Sequence, residues 1–212
     1  MTLVRTIQGT KLRLECAATL RRQGEAVLNT FERLYSTAGS LRAGAQIRFG
    51  WSLLHVLDDA GWLMVAEPEF ERWPEERWRP NLDTTLRIAT EQSRLLQRLR
   101  LSGEDACYDQ FLFAAPGAHL KRDIFLKRSG ATLDRDSGWA LGALDDPEAL
   151  GADQLEAIPI AKLVGTLEYA MQVLALPGGS IAIFRNASLS EILDAGGNIL
   201  LPGDGSAEAS RN

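Results

Sequence analysis

The sequence predicts an α+β protein in which small mixed or antiparallel sheets pack against a few helices, arranged as two similar-sized subdomains. Short segments of alternating apolar and polar residues indicate half-buried strands. Two longer segments repeat apolar residues at helical spacing. The order hairpin, loop, helix and strand occurs in both halves of the chain, which favours two units of comparable size.

The N-terminal elements follow from turn residues and polarity patterns. Residues 8–9, Gln-Gly, form the turn of a predicted hairpin, and residues 20–35 have a helical pattern. Residues 47–53 alternate in polarity and predict one half-buried strand. The turn at residues 58–61 then leads into a further strand at residues 62–66.

A second helix is predicted over residues 82–101, because Asn81 is a good N-cap and Asp83 lies in the first turn. The remaining elements are short. They comprise predicted strands at residues 110–114, 123–127, 139–144 and 180–184, a helix at residues 160–174 and a turn of helix at residues 189–193.

Composition shifts suggest where the chain divides. We expect an N-terminal α+β region at residues 1–117, a C-terminal domain at residues 118–201 and a disordered tail at residues 202–212. The 23 basic and 28 acidic residues give a net charge of -5. Residues 1–120 hold 15 of each sign, whereas residues 121–212 hold 8 basic and 13 acidic residues, so the second part carries the whole excess (8 − 13 = -5). This acidity argues against nucleic-acid binding.

Two further features predict a protein of the cytoplasm that binds no membrane. The first residues alternate in polarity and lack the apolar stretch of a signal peptide, and no apolar run has membrane-spanning length. Cys16 and Cys107 lie far apart and outside any metal-binding spacing, which favours two buried thiols. We expect no metal and no cofactor.

The residue types that catalysis requires are scarce. His55 lies in an apolar strand and His119 in a loop, and neither has a catalytic spacing. Ser137 precedes a glycine but lacks the nucleophile-elbow motif, so a small serine hydrolase using Ser137 with either histidine remains an alternative only. The preferred interpretation of Asp136-Ser-Gly-Trp139 is a turn in which Asp136 or Ser137 caps backbone N–H groups, Gly138 has an unusual dihedral angle and Trp139 enters the core.

The loop at residues 67–80 is proline-rich, with alternating charges and several aromatic residues. One interpretation is a long connector whose aromatic residues pack onto the sheet. The other is a recognition loop, because tryptophan and arginine are enriched among binding hot spots. In that case Trp73, Arg77 and Trp78 are the candidate binding residues.

The C-terminal part resembles a family of bacterial immunity proteins. The resemblance rests on the Asp136-Ser-Gly-Trp139 signature, the Leu141-Gly142 pair, a following acidic stretch, Leu155-Glu-Ala-Ile158 and the late Leu176-Pro-Gly-Gly-Ser180 segment. It covers roughly residues 120–186. Such proteins are encoded beside toxins of type VI secretion and polymorphic-toxin systems. In this chain Ala140-Leu-Gly-Ala143 stands where bulkier and more acidic residues often follow the tryptophan.

The resemblance implies a non-enzymatic α+β scaffold that binds a cognate toxin and occludes its active site. An immunity protein of the cytoplasm would meet a toxin that acts there, such as a nuclease or a nucleotide-targeting effector. The acidic residues that could complement a basic groove and steer the encounter are Asp145, Asp146, Glu148, Asp153 and Glu156. A regulatory or scaffold module for another protein is a further alternative.

Overall fold

The computed structural model describes residues 1–38, 41–74, 77–131, 133–145 and 154–202. It has an α+β fold with two mixed sheets, as the sequence predicts. Contacts divide the chain into two compact units, Met1–Glu91 and Gln92–Asn212. Within the described ranges, no helix has the length and apolar character needed to cross a membrane.

The first unit contains one six-stranded sheet. Its order is β1-β2-β5-β4-β3, with β6 paired to β5, and only the β2–β5 pair is parallel. The strands are β1 (Thr2–Ile7), β2 (Thr10–Glu15), β3 (Gln46–Phe49), β4 (Ser52–Asp59), β5 (Trp62–Pro68) and β6 (Trp78–Arg79), and the helices are α1 (Arg21–Ala38) and α2 (Asp83–Leu99), the second of which crosses the division of the chain.

Two predicted hairpins are confirmed, and their turns explain why they form. Gln8 and Gly9 both have positive φ, 48° and 81°, and Ala60 and Gly61 repeat this with 48° and 86°. Two successive residues of positive φ match the right-handed twist of the flanking strands. The pairs β1–β2 and β4–β5 are therefore tightly connected antiparallel ladders.

The single strand predicted over residues 47–53 is wrong, because the chain reverses within it. β3 and β4 pair antiparallel, with Phe49 opposite Ser52. Gly50 supplies a φ of 56° at the reversal. Trp51 is fully buried and its indole N–H donates to the carbonyl of Thr85 at 3.3 Å. The alternating polarity therefore belonged to two short strands.

The core of the first unit lies between α1 and one face of the sheet. Val27, Leu28 and Phe31 of the helix are fully buried with Leu12 and Leu14 of the sheet. The helical pattern predicted over residues 20–35 is confirmed by α1. The predicted second helix is confirmed as α2, and the Asn81 side chain accepts the N–H of Asp83 at 2.7 Å as an N-cap does.

The second unit contains a seven-stranded sheet of order β10-β7-β9-β8-β11-β12-β13, in which only β7–β9 is parallel. Its strands are β7 (Phe111–Ala114), β8 (Ile124–Arg128), β9 (Asp136–Ala143), β10 (Glu156–Pro159), β11 (Ile181–Arg185), β12 (Ser188–Leu193) and β13 (Ile199–Leu201), with α3 (Ile160–Thr166) and a 3₁₀ helix at Glu168–Val173.

The division differs from the boundary predicted between residues 117 and 118. β7 lies before that boundary, yet it pairs with β9 and β10 of the second sheet. Residues 115–118 form a turn within the unit, because the N–H of Ala118 bonds to the carbonyl of Ala115 at 2.9 Å. A turn between two strands of one sheet has the same residue types as a linker. The tail predicted at residues 202–212 lies outside the described residues except for Pro202.

Two other local predictions are corrected in the second unit. The helix predicted over residues 160–174 breaks at Leu167, whose φ of -132° and ψ of 43° are not helical, and continues as a 3₁₀ helix. The turn of helix predicted at residues 189–193 is a strand, β12. Asn186 and Ala187 have φ of 50° and 61° and turn the chain back onto β11.

Glu67 of the first unit has a buried carboxylate at the N-terminus of α2. Its side chain accepts the N–H of Thr85 at 2.7 Å and the Nε–H of Arg79 at 2.8 Å. The hydroxyl of Thr85 donates in turn to Ser52 at 3.0 Å. Glu67 thereby satisfies a helix N–H that has no partner within the helix. Burial raises the pKa of the Glu67 carboxyl above its ordinary value, against the lowering effect of these hydrogen bonds.

We expect Glu67→Gln to remove a pH dependence of stability. The raised pKa stabilises the folded state fully below the unfolded-state pKa of 4.5, and this contribution is lost as the pH rises through the folded-state pKa. The free energy of unfolding of the wild type relative to the variant should therefore fall as the pH rises from below 4.5 through the folded-state pKa, measured by urea denaturation.

Glu71→Gln is the matched control, because Glu71 is an exposed carboxylate that contacts the same Arg79 at 3.3 Å. This variant retains the Glu67 carboxyl, so its free energy of unfolding should fall with rising pH as that of the wild type does. If the difference in the free energy of unfolding between wild type and Glu67→Gln stayed constant across the pH range, the pKa of Glu67 would not be raised in the folded state.

Candidate functional site

The Asp136–Trp139 motif forms an irregular start of β9. The register between β7 and β9 shifts between Phe111 and Phe113, so β9 bulges there. The Asp136 carboxylate accepts the N–H of Gly138 at 2.7 Å. The Ser137 hydroxyl donates to the carbonyl of Phe111 at 2.7 Å and accepts the N–H of Trp139 at 3.3 Å. The predicted capping of backbone N–H groups by Asp136 and Ser137 is therefore confirmed, but the motif is the bulged start of a strand and not a turn.

Gly138 is required at the bulge for two reasons. Its φ of 75° is unfavourable for other residues, and a Cβ atom built on it would overlap the carbonyl oxygen of Ser129. The backbones approach closely because the N–H of Ser129 donates to the carbonyl of Gly138 at 2.7 Å. This bond extends the ladder between β8 and β9 past the last strand residue.

Trp139 and Arg128 are cross-strand neighbours that together fill the interior of the second unit. Trp139 is 1% exposed, and its indole N–H donates to the carbonyl of Leu174 at 3.1 Å. The Arg128 guanidinium lies 5.6 Å from the centre of the Trp139 ring. It donates to the carbonyls of Glu104 at 2.7 Å and Leu176 at 2.6 Å. Burial lowers the pKa of Arg128, although Glu104 and Asp105 act against it.

The segment at residues 177–180 closes the same region. The N–H of Arg128 donates to the carbonyl of Ser180 at 2.8 Å, and the N–H of Gly179 donates to the carbonyl of Arg128 at 2.9 Å. This segment links the 3₁₀ helix to β11. The signature motif, Arg128 and the Pro-Gly-Gly-Ser segment therefore form one hydrogen-bonded junction, which is called the Arg128 junction below.

The geometry at Ser137 is not that of a nucleophile. Ser137 is 4% exposed, and both hydrogen bonds of its hydroxyl are with backbone groups. A nucleophilic serine requires a base within hydrogen-bonding distance. His55 instead stacks on Trp78 in the first unit, and His119 lies in a short 3₁₀ helix, Ala118–Leu120. In the part of the chain that the structure describes, no three His, Cys, Asp or Glu residues are grouped to hold a metal ion.

The candidates of the proline-rich loop have different environments. Trp78 belongs to β6, is half-buried and stacks on His55 with ring centres 4.5 Å apart. Trp73 is half-buried, and its backbone N–H contacts the carbonyl of Phe70 at 3.3 Å. Arg77 is exposed, and its carbonyl accepts the N–H of Glu69 at 2.9 Å. Trp78 therefore contributes to packing, whereas Arg77 presents its side chain to solvent.

Two acidic candidates lie at one end of the second sheet. Asp145 is exposed, just after β9, and its carboxylate contacts the Lys121 ammonium at 2.9 Å. This hydrogen bond lowers the pKa of Asp145. Glu156 is exposed at the start of β10, opposite Ala114. β9 runs parallel to β7, and β10 runs antiparallel to β7. The last residues of β9 and the first residues of β10 therefore lie at the same end of the sheet.

The other three acidic candidates, Asp146, Glu148 and Asp153, lie outside the described residues. The sequence also gave no signal for Arg128, because a single arginine in an amphipathic strand normally lies in solvent. Its role depends on the carbonyl groups of residues that are distant in the chain.

We expect Gly138→Ala to lower the free energy of unfolding by about 2–4 kcal/mol, because it adds a steric overlap to an unfavourable φ. Gly9→Ala is the matched control, since Gly9 has a φ of 81° but no atom within 4 Å of a built Cβ. It should cost about 1 kcal/mol. Equal losses in chemical denaturation would show that the close approach to Ser129 is unimportant.

We expect Arg128→Met to lower the free energy of unfolding by about 2–4 kcal/mol, because it leaves buried carbonyl groups without donors. Arg135→Met provides the comparison, because Arg135 is exposed and donates to the carbonyl of Asp109 at 2.7 Å. Its loss should stay below about 1 kcal/mol. Thermal and urea denaturation measure the stability loss of each variant. If Arg128→Met were as stable as the wild type, the Arg128 hydrogen bonds would not hold the junction together.

Compared with protein-family models, curated proteins and solved structures, the chain shows no significant match to any of them.

Proposed function

We propose that the protein is a non-enzymatic immunity protein that binds a cognate bacterial toxin and occludes its active site. The toxin acts in the cytoplasm, as a nuclease or a nucleotide-targeting effector of a type VI secretion system, and the immunity protein meets it there. The proposal rests first on the resemblance of residues 120–186 to DSGW-signature immunity proteins. The polar groups of that signature are occupied by the fold itself, so recognition is assigned to other surfaces.

The observation that carries the proposal is the acidic connection between β9 and β10. Residues 145–156 contain five acidic residues and no lysine or arginine. Its two described ends, Asp145 and Glu156, lie at one end of the second sheet. The negative charges of Asp145 and Glu156 at this end of the sheet are complementary to the basic groove in which a nuclease holds phosphates, and the sequence between them adds three more acidic residues.

Electrostatic complementarity accelerates association and discriminates against wrong partners more than it raises affinity. Arg77 and the neighbouring Trp73 and Trp78 offer a second, different contact, in which aromatic area and a guanidinium anchor the complex. The acidic connection is the surface that steers the toxin.

We expect the double variant Asp145→Lys/Glu156→Lys to associate with the toxin at least about tenfold more slowly at low salt, and to lose most of the salt dependence of the association rate. The toxin is identified as the product of a neighbouring gene whose expression alone arrests growth. Co-expression of this protein should restore growth. Stopped-flow or surface-binding kinetics with an inactive toxin variant measure the rate.

The matched control is Asp58→Lys/Asp134→Lys, which changes the net charge by the same amount. Asp58 and Asp134 are exposed, and Asp134 lies before the start of β9, at the other end of that strand. This control should associate at nearly the wild-type rate. Equal slowing in both variants would assign the effect to net charge, and the acidic connection would not be the docking surface. Failure of every neighbouring gene product to bind would refute the immunity function.

A further inference from the structure

Apart from the two-residue β6, which pairs with β5 alone, the described strands leave four open sheet edges, and three of them are protected. β3 has four residues and an exposed Arg48. β10 has four residues, among them Glu156 and Pro159. β13 has three residues and is followed by Pro202. Short length, charge and proline are the features that prevent edge strands from pairing with other chains.

β1 is the fourth edge and has none of these features. It has six residues without proline, and its pairing with β2 runs without a register shift. Its one charged residue, Arg5, is neutralised within the unit, because its guanidinium contacts the carboxylates of Glu25 and Glu32 on α1 and the Asn29 side chain. Val4, on the opposite face, is 51% exposed.

The turn fixes which backbone groups of β1 face the open edge. A two-residue turn makes the residues on either side of it, Ile7 and Thr10, a hydrogen-bonded pair. Hydrogen-bonded pairs then recur at every second residue along β1. The same phase is seen at the strand start, where Met1 both donates to and accepts from Cys16. The N–H and C=O groups of Thr2, Val4 and Thr6 therefore point away from β2.

We propose that β1 is a self-pairing edge, which joins two copies of this chain through an antiparallel β1–β1 ladder with Val4 opposite Val4 of the second copy. In this register Thr2 lies opposite Thr6, so every outward-facing group of the strand has a partner. Three pairs with two bonds each give about six backbone hydrogen bonds. Residues that face each other lie on the same side of the sheet, and Val–Val and Thr–Thr contacts stabilise such pairs.

The alternative registers are worse, and this favours a second copy in the register stated. A shift of two residues in one direction places Arg5 opposite Arg5 of the second copy and leaves Thr2 unpaired. A shift of two in the other direction leaves Thr6 unpaired. A shift of one residue places the outward-facing N–H and C=O groups of each copy opposite residues whose own groups face β2, so the ladder cannot form. A two-fold axis through Val4 satisfies the hydrogen bonds and separates the charges.

A single strand pair buries less surface than a permanent dimer does, so the dimer should depend on concentration. Sedimentation velocity of the full chain between about 1 μM and about 1 mM should show a reversible monomer–dimer equilibrium. Val4→Lys should weaken dimerisation at least about tenfold, because it places two ammonium groups opposite each other at the two-fold axis. Val4→Thr should retain it.

The matched control is Ile199→Lys, which puts the same charge on the open edge of the second sheet, where Ile199 is 55% exposed. It should dimerise like the wild type. If Ile199→Lys and not Val4→Lys abolishes the dimer, the interface is β13 and the proposal is wrong. A wild type that is monomeric at every concentration also overturns it.

A second measurement does not depend on disrupting the strand. Cys16 and Cys107 are buried, so a nitroxide can be attached selectively to Val4→Cys. The two labels would lie next to each other at the two-fold axis. The electron paramagnetic resonance spectrum should therefore show dipolar broadening, which disappears on dilution with unlabelled protein. A labelled dimer without broadening would place the contact elsewhere and refute the β1–β1 ladder.

Discussion

An ionised guanidinium inside the second unit governs the arrangement of the segments around it. Arg128 loses its hydration there, and the carbonyls of Glu104 and Leu176 replace part of it. The ring of Trp139 covers one side of the group. A buried charge tolerates little displacement of its partners, so segments that are far apart in sequence are held in one arrangement. The bulge at Gly138 lets its backbone lie close to that of Ser129, whose N–H donates to the Gly138 carbonyl at 2.7 Å.

Much of the local structure was predictable because short-range chemistry decides it. The turns at Gln8-Gly9 and Ala60-Gly61 need residues that accept positive φ, and the sequence provides them. Asn81 begins α2 through its own side chain. Part of the role of the Asp136–Trp139 motif also followed from residue types, since Asp136 and Ser137 each accept an N–H two residues further on. The hydrogen bond from Ser137 to the distant Phe111 carbonyl could not be read from them.

The errors arose where distant contacts outweigh local pattern. Residues 189–193 have helical spacing of apolar side chains, but pairing with β11 and β13 makes them a strand. The reversal at Gly50 was hidden because alternation continues on both sides of it. Arg128 could not be recognised, since its partners are carbonyl groups, which every residue carries. The charge of the acidic connection could be read from the sequence. That Asp145 and Glu156 lie at the same end of the sheet depends on the strand order, which the sequence does not reveal.

The position of α2 has a consequence for how the chain could have been assembled over time. The helix runs from Asp83 to Leu99 without interruption, while the two compact units meet at Glu91 and Gln92. An exchange of gene segments at that point would fuse halves of two unrelated helices, whose apolar stripes would have to continue in phase. Exchange after residue 117 would remove β7 from between β9 and β10. Neither of these two positions is therefore a neutral place for recombination between the units.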